Sequence, residues 1–234
     1  MMKWISLFVI LNLLSCINPK RSEESIKTNF NNKHSSELPL KKIDTTYSPI
    51  IVKINSTDSI ILRRIYFDHN NLNLYHYVFT KNGIQIHVDR EHDFVENSKY
   101  NKVIKSGSSM FLFLENNGAP NFNQISAYVI SKDKANFIKD VVYNDESQGG
   151  GPKPFSDIDH DGYLEFGGFD INEVHPSPDS MYYHPSEFYE IRNGEILFDS
   201  LLTKKSDIKM NGIYKKNPLN NDGSCCLVIK KPKR

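Results

Sequence analysis

Apolar residues in this chain alternate with polar ones far more often than they follow a helical period. Ile60 to Phe67, Tyr75 to Phe79, Ile84 to Val88, Met110 to Leu114, Ile125 to Ile130 and Phe137 to Tyr143 are short runs rich in β-branched and aromatic side chains. Leu164 to Phe169, Phe188 to Ile191 and Ile196 to Phe198 continue the series. Such runs predict strands, because branched and aromatic side chains pack well on a pleated, half-buried surface. Turn signals separate them: Asn82-Gly83, Asn117-Gly118, Lys132-Asp133 and Asn193-Gly194. Asn-Gly is a strong hairpin signal, since both central residues of a type I′ turn need positive φ. Short strands punctuated in this way predict a mostly β fold with few helices.

The pattern echoes itself. YVFTKNGIQIHVD (77–89) and YEIRNGEILFD (189–199) share a tyrosine strand, an Asn-Gly turn, an isoleucine strand and an aspartate. YVISKDKANFIKDVVYND (128–145) is a longer version. Each is preceded by another strand, so the chain is expected to form about three antiparallel β-meander units of roughly 50 residues. Closed propellers use about four to eight blades. Three units therefore predict an open, partial-propeller-like stack or a sandwich. The run QGGGPKP (148–154) is the expected joint before the third unit.

The N-terminus follows a different rule. Lys3 precedes an apolar run from Ile5 to Leu14 that ends in Leu13-Leu14-Ser15-Cys16. A membrane-spanning helix needs roughly 20 apolar residues, so the run reads as a signal peptide over 1–15. The sequence before Cys16 resembles the lipobox of bacterial lipoproteins. The resemblance implies that Cys16 becomes the mature first residue and carries acyl chains, attaching the protein to a membrane. The plainer reading is a secretory signal with a chance cysteine. In that family an aspartate after the cysteine often marks inner-membrane retention. Ile17 stands there instead, which leans the expectation towards the outer membrane of the cell envelope.

Residues 16–47 are polar without a sustained period and read as a flexible tether. Residues 48–234 are then one β-rich domain, long enough to bury about 70% of its unfolded surface. The formal charge of the whole chain is +1. No basic patch of the kind that binds nucleic acid stands out, and the terminal KKPKR reads as a solvated tail. Cys225 and Cys226 are adjacent, with no CxxC and no nearby histidine, which makes a poor zinc or redox motif. They read as structural or slowly oxidised thiols, with a vicinal or an intermolecular disulfide as the alternative.

One stretch carries specific chemistry. In DIDHDGYLE (157–165), Asp157, Asp159, Asp161 and Glu165 fall at positions 1, 3, 5 and 9, with Gly162 at position 6. Calcium takes six to eight oxygens, and alternating carboxylates around a tight turn, joined by the carbonyl of Tyr163 at position 7, suit it. Position 12 is Gly168, not the glutamate of an EF-hand, and the flanks read as strand. The loop resembles the calcium-binding hairpin of FG-GAP and integrin-type repeats, DxDxDGxxD, with Glu165 in place of the last aspartate. That resemblance covers 157–169 and implies a structural Ca2+ ion. The segment onward to residue 200 also resembles bacterial lipoproteins with one such hairpin near the C-terminus, a family that carries no known reaction. The competing reading is a polar turn in which the aspartates only cap their own backbone.

Eight histidines show no HExxH spacing, and no GxSxG or glycine-rich phosphate loop occurs. His87, His92, His175 and His184 read as surface or loop residues. Tyr182, Tyr183, Phe188 and Tyr189 read as packing or, less simply, as a platform for a sugar or peptide. The expected protein is thus an envelope lipoprotein with a structural calcium hairpin, acting as a binding module for a protein or glycan partner. A calcium-assisted envelope hydrolase, with His175, His184 and Asp170 beside the ion, and an inhibitor of a periplasmic enzyme are the alternatives.

Overall fold

The computed structural model describes residues 42–69, 72–118, 122–144, 151–169 and 176–232. The signal peptide, Cys16, most of the tether, Asp170, Glu173, His175 and residues 148–150 lie outside them.

The described strands are β1 (Lys42–Ile43), β2 (Ile50–Lys53), β3 (Ser59–His69), β4 (Leu72–Lys81), β5 (Ile84–Asp89), β6 (Lys102–Ser106) and β7 (Ser109–Gly118). They continue as β8 (Phe122–Ile130), β9 (Ala135–Val142), β10 (Leu164–Gly168), β11 (Ser180–Tyr182), β12 (Glu187–Arg192) and β13 (Glu195–Phe198). One helix, α1 (Ser200–Asn211), precedes β14 (Val228–Lys230). The fold is mostly β, and its sheets are antiparallel and open.

The first sheet runs β1-β3-β4-β5, with β2 on the same side of β3 as β1. The second is the meander β6-β7-β8-β9, the third is β10-β12-β13, and β11 pairs with β14 in a small ribbon. The three echoed segments fall on the closing hairpins of three different sheets: 77–89 on β4-β5, 128–144 on the end of β8 and β9, and 189–199 on β12-β13. Asn82-Gly83 and Asn193-Gly194 turn with φ of 51° and 81°, and of 50° and 86°, as the type I′ geometry requires. Asn117 and Gly118 behave differently. They pair with Asn123 and Phe122 within the ladder, so the β7-β8 turn lies beyond them.

The second sheet is the middle layer. Along β7 the side chains alternate: Leu112 and Leu114 join Ile60, Leu62, Phe79 and Tyr128 in a core against the first sheet. Phe111 and Phe113 join Ile125, Val141, Phe166 and Ile191 in a core against the third. A strand buried on both faces reads as a continuous apolar run, which is what Met110 to Leu114 is. Lys42 and Ile43 pair with Tyr66 and Ile65. Arg64 holds the same segment, with its guanidinium 3.8 Å from the Tyr47 ring centre, 3.4 Å from that of Tyr75, and 3.5 Å from Asp44. Lys42, Ile43, Asp44 and Tyr47 all fall within the stretch expected to be tether.

The helix was not legible in the apolar pattern, because its core-facing side is mostly polar. Its caps are ordinary. Asp199 accepts from the N–H groups of Leu201 and Leu202, and Gly212 closes the C-terminus at φ 70°. Cys225 and Cys226, read as thiols, are joined in a vicinal disulfide.

Candidate metal centre

The acidic loop is pinched at its neck. The Phe155 N–H donates to the Glu165 carbonyl at 2.6 Å, and the Glu165 N–H donates to the Ser156 carbonyl at 3.0 Å. Between these bonds the chain must reverse, and it does so with positive φ at His160 (70°) and Gly162 (95°). The Gly162 N–H donates to Asp157 Oδ2 at 3.1 Å, and the Tyr163 N–H to Asp161 Oδ1 at 3.0 Å. The turn thus uses one oxygen of Asp157 and one of Asp161.

The carboxylates also converge. Asp157, Asp159, Asp161 and Glu165 each offer a carboxylate oxygen, and these four atoms lie within 4.8 Å of one another. Glu165 is fully buried. Its Oε2 accepts from the Ile158 N–H at 2.5 Å, while its Oε1 has no hydrogen-bond partner. Asp157 Oδ1 and Asp159 Oδ1 are likewise buried and unpartnered. Buried polar atoms are nearly always satisfied, and an unpaired buried carboxylate is costly. Burial pushes the Glu165 carboxyl up to about 7; the Ile158 N–H opposes the shift, and Asp159, Asp161 and Asp157 add to it. An all-oxygen set of clustered carboxylates is the donor chemistry of a hard divalent cation, so this cluster could hold a metal ion.

The fold sets Glu165 in place. Phe166, the next residue of β10, points into the core shared with the second sheet, so strand alternation turns Glu165 to the other face. There it pairs across the strand with Glu190 of β12. Gly167 allows the close approach of β12: a Cβ would sit 2.0 Å from the Glu187 carbonyl oxygen. Tyr163, expected to supply its carbonyl, lies in the same turn with its ring 4.5 Å from the Arg192 guanidinium. The structure therefore brings together the four carboxylates that the sequence singled out.

A second cluster was missed. His92 Nδ1 lies 2.8 Å from Asp89 Oδ2, and His92 Nε2 lies 2.9 Å from Asp140 Oδ2. Asp89 also accepts from the Tyr128 hydroxyl at 2.7 Å and from the N–H groups of Glu91 and His92. Asp140 Oδ1 accepts from Ser126 at 2.7 Å and from Asn116 at 3.2 Å. Burial alone would lower the pKa of His92, but the bonds to Asp140 and Asp89 outweigh it and push it up to about 10. Burial acts to raise Asp89, yet the bonds from His87, His92 and Tyr128 hold it well below the usual carboxylate range. His92 is thus an imidazolium donating from both nitrogens. Nothing in local spacing announces the cluster, since Asp140 is 48 residues from His92.

The His184 carbonyl accepts from the Asn211 side chain. Tyr183, Phe188 and Tyr189 are buried packing residues, while Tyr182 is half-buried in β11. Among the described residues no helix is long and apolar enough to cross a membrane. Compared with protein-family models, curated proteins and solved structures, the chain matches none.

Proposed function

We propose that this chain is a lipid-anchored protein of the bacterial cell envelope. Its acidic hairpin holds a structural calcium ion through Asp157, Asp159, Asp161, Glu165 and the Tyr163 carbonyl, and its β domain acts as a binding module. The observation that carries the metal reading is the convergence of the Asp157, Asp159, Asp161 and Glu165 carboxylates, beside buried, unpartnered oxygens on Asp157, Asp159 and Glu165. A cation is the partner that satisfies all three together. Calcium is favoured over magnesium because it tolerates a flexible, many-oxygen loop, whereas magnesium demands near-octahedral geometry and keeps its waters.

The lipid anchor rests on the leader, which ends at Cys16 after a run too short to span a bilayer. Two or more acyl chains make such an attachment stable. Both ring nitrogens of His92 are held by carboxylates, which leaves that histidine no lone pair for general-base chemistry.

Two experiments test the two halves separately. A chain beginning at Ile17 is melted in EDTA, in calcium and in magnesium, beside Asp159→Ala. A ligand at a hundredfold excess over its Kd stabilises by about 2.7 kcal/mol. A calcium-specific rise in Tm that the variant lacks supports the site, and coincident melts in EDTA and calcium reject it. Mass spectrometry of the full chain expressed in a bacterium reads the anchor. Acyl mass on Cys16, absent in Cys16→Ser, is expected, and an unmodified Cys16 in the membrane fraction rejects it.

A further inference from the structure

Helix α1 is turned inside out. Its buried residues are Leu202, Thr203, Asp207 and Asn211. They hold the helix by polar contacts. Asp207 accepts from the Tyr183 hydroxyl, from the Ser186 N–H at 2.7 Å and from Asn211 at 3.0 Å. Thr203 Oγ1 accepts from the Phe188 N–H at 3.0 Å. Its outward side carries Leu201, 77% exposed, and Ile208, 49% exposed. A surface helix ordinarily turns its apolar residues to the core; here two of them lie outside among lysines.

The setting of these two residues says what the contact is. Seven positions apart, Leu201 and Ile208 lie almost in line along the helix. Exposed Lys204 lies on one flank, and exposed Lys205 and Lys209 lie on the other. The near-neutral total hides a segregation of charge. Residues 200–234 hold nine lysines and arginines against Asp207 and Asp222, a formal +7, so the rest of the chain carries −6 of the total +1. Of those two acids, Asp207 is buried. Lys215 and Lys216, in the loop after the helix, are exposed as well.

We propose that the outer face of α1 docks on an anionic lipid surface. Leu201 and Ile208 enter the boundary between headgroups and acyl chains, and Lys204, Lys205 and Lys209 meet the phosphates around them. The aliphatic pair supplies apolar contact, and the lysines beside it reach the headgroups on their flexible stems. A nucleic acid offers phosphates for the lysines but nothing for an aliphatic strip at the centre of the face. The contact does not depend on Cys16 or on the cation. In an acylated chain it would lay the domain against the membrane instead of leaving it at the end of its tether.

The test uses the chain beginning at Ile17, which has neither the apolar leader nor Cys16 but retains the compact unit Pro39–Arg234. It is sedimented with vesicles of phosphatidylcholine, and with vesicles of three parts phosphatidylcholine to one part phosphatidylglycerol. Binding is expected to the second only, and to weaken with salt. Lys204→Glu, Lys205→Glu and Lys209→Glu together lower partitioning by about a hundredfold. Leu201→Ser with Ile208→Ser lowers it by about tenfold. Trp4 is the single tryptophan and is absent from this chain, so Leu201→Trp adds a depth probe that keeps the face apolar. Its emission should shift to the blue on phosphatidylglycerol vesicles and be quenched by brominated acyl chains. Equal binding to both vesicle types, or a Leu201→Trp emission unmoved by either, overturns the proposal. So does binding that ignores the Leu201 and Ile208 substitutions and is matched by a single-stranded oligonucleotide, which would make the face a general polyanion surface.

Discussion

His92 joins Asp89, at the end of β5, to Asp140 of β9, donating to one carboxylate from each ring nitrogen at 2.8 and 2.9 Å. The contact bridges the first and second sheets beside the core that contains Phe79 and Tyr128. Removing one partner of a fully buried ion pair costs about 3 kcal/mol or more, but only Asp89 is buried here and the Asp140 side chain is 29% exposed. His92→Gln is expected to lower stability by about 2 kcal/mol in urea unfolding. An effect within experimental error would make the bridge a passive contact.

The same bridge sets a pH dependence. His92 has a folded pKa of about 10, above its unfolded value of roughly 6.5. Its contribution is therefore complete below about pH 6.5 and is lost as pH rises towards 10. Asp89 and Asp140 are both held low, so their contribution is present above the normal carboxylate range and is lost in acid. The difference in stability between wild type and His92→Gln should shrink steadily from pH 6.5 to pH 10. A difference that stays constant over that range removes the ionic account.

Glu165 gives a crossing pair of outcomes. Without a cation its buried, unpartnered Oε1 is a cost, so Glu165→Gln should match or exceed wild-type stability in EDTA, by about 1 kcal/mol. With calcium present the order should reverse, because the amide supplies a weaker ligand and no charge. Melting curves in both conditions decide the matter. A variant less stable than wild type in both would assign Glu165 a purely structural role.

Two glycines with positive φ separate strain from clash. Gly83 has φ 81° with open space where a Cβ would stand, so Gly83→Ala should cost about 1 kcal/mol. Gly167 has φ 145°, and a Cβ there would sit 2.0 Å from a backbone oxygen of β12. Gly167→Ala should break the pairing of β10 with β12 and cost about 3 kcal/mol or more. Equal costs for the two variants would contradict the packing described.

Asp207 is the polar anchor of α1. Asp207→Ala leaves the Ser186 N–H buried without its acceptor and the Tyr183 hydroxyl with only the longer bond to the Lys215 carbonyl, 3.3 Å, at about 2 kcal/mol. Amide hydrogen exchange should show α1 losing protection while β7 and β8 keep theirs. Uniform loss across the domain would mean that the helix unfolds only with the sheets.

Elements whose signal is local were legible in the residues alone. Alternation and Asn-Gly punctuation marked the strands and two of the type I′ turns, since strand faces and turn dihedrals are set within a few residues. The echo of 77–89, 128–145 and 189–199 marked three sheets for the same reason. The acidic loop was legible because all four carboxylates lie within nine residues, so a turn alone can bring them together. Tertiary structure decided what depends on distant partners. It placed the second sheet in the middle, so that β7 is buried on both faces. It left Glu165 Oε1 without a donor, and it set Asp140 against His92 across 48 residues. It also inverted α1, because Asp207, Thr203 and Asn211 found acceptors and donors in β12 and in the residues just before it. An apolar pattern cannot show a helix whose inward face is held by hydrogen bonds and whose outward face is not.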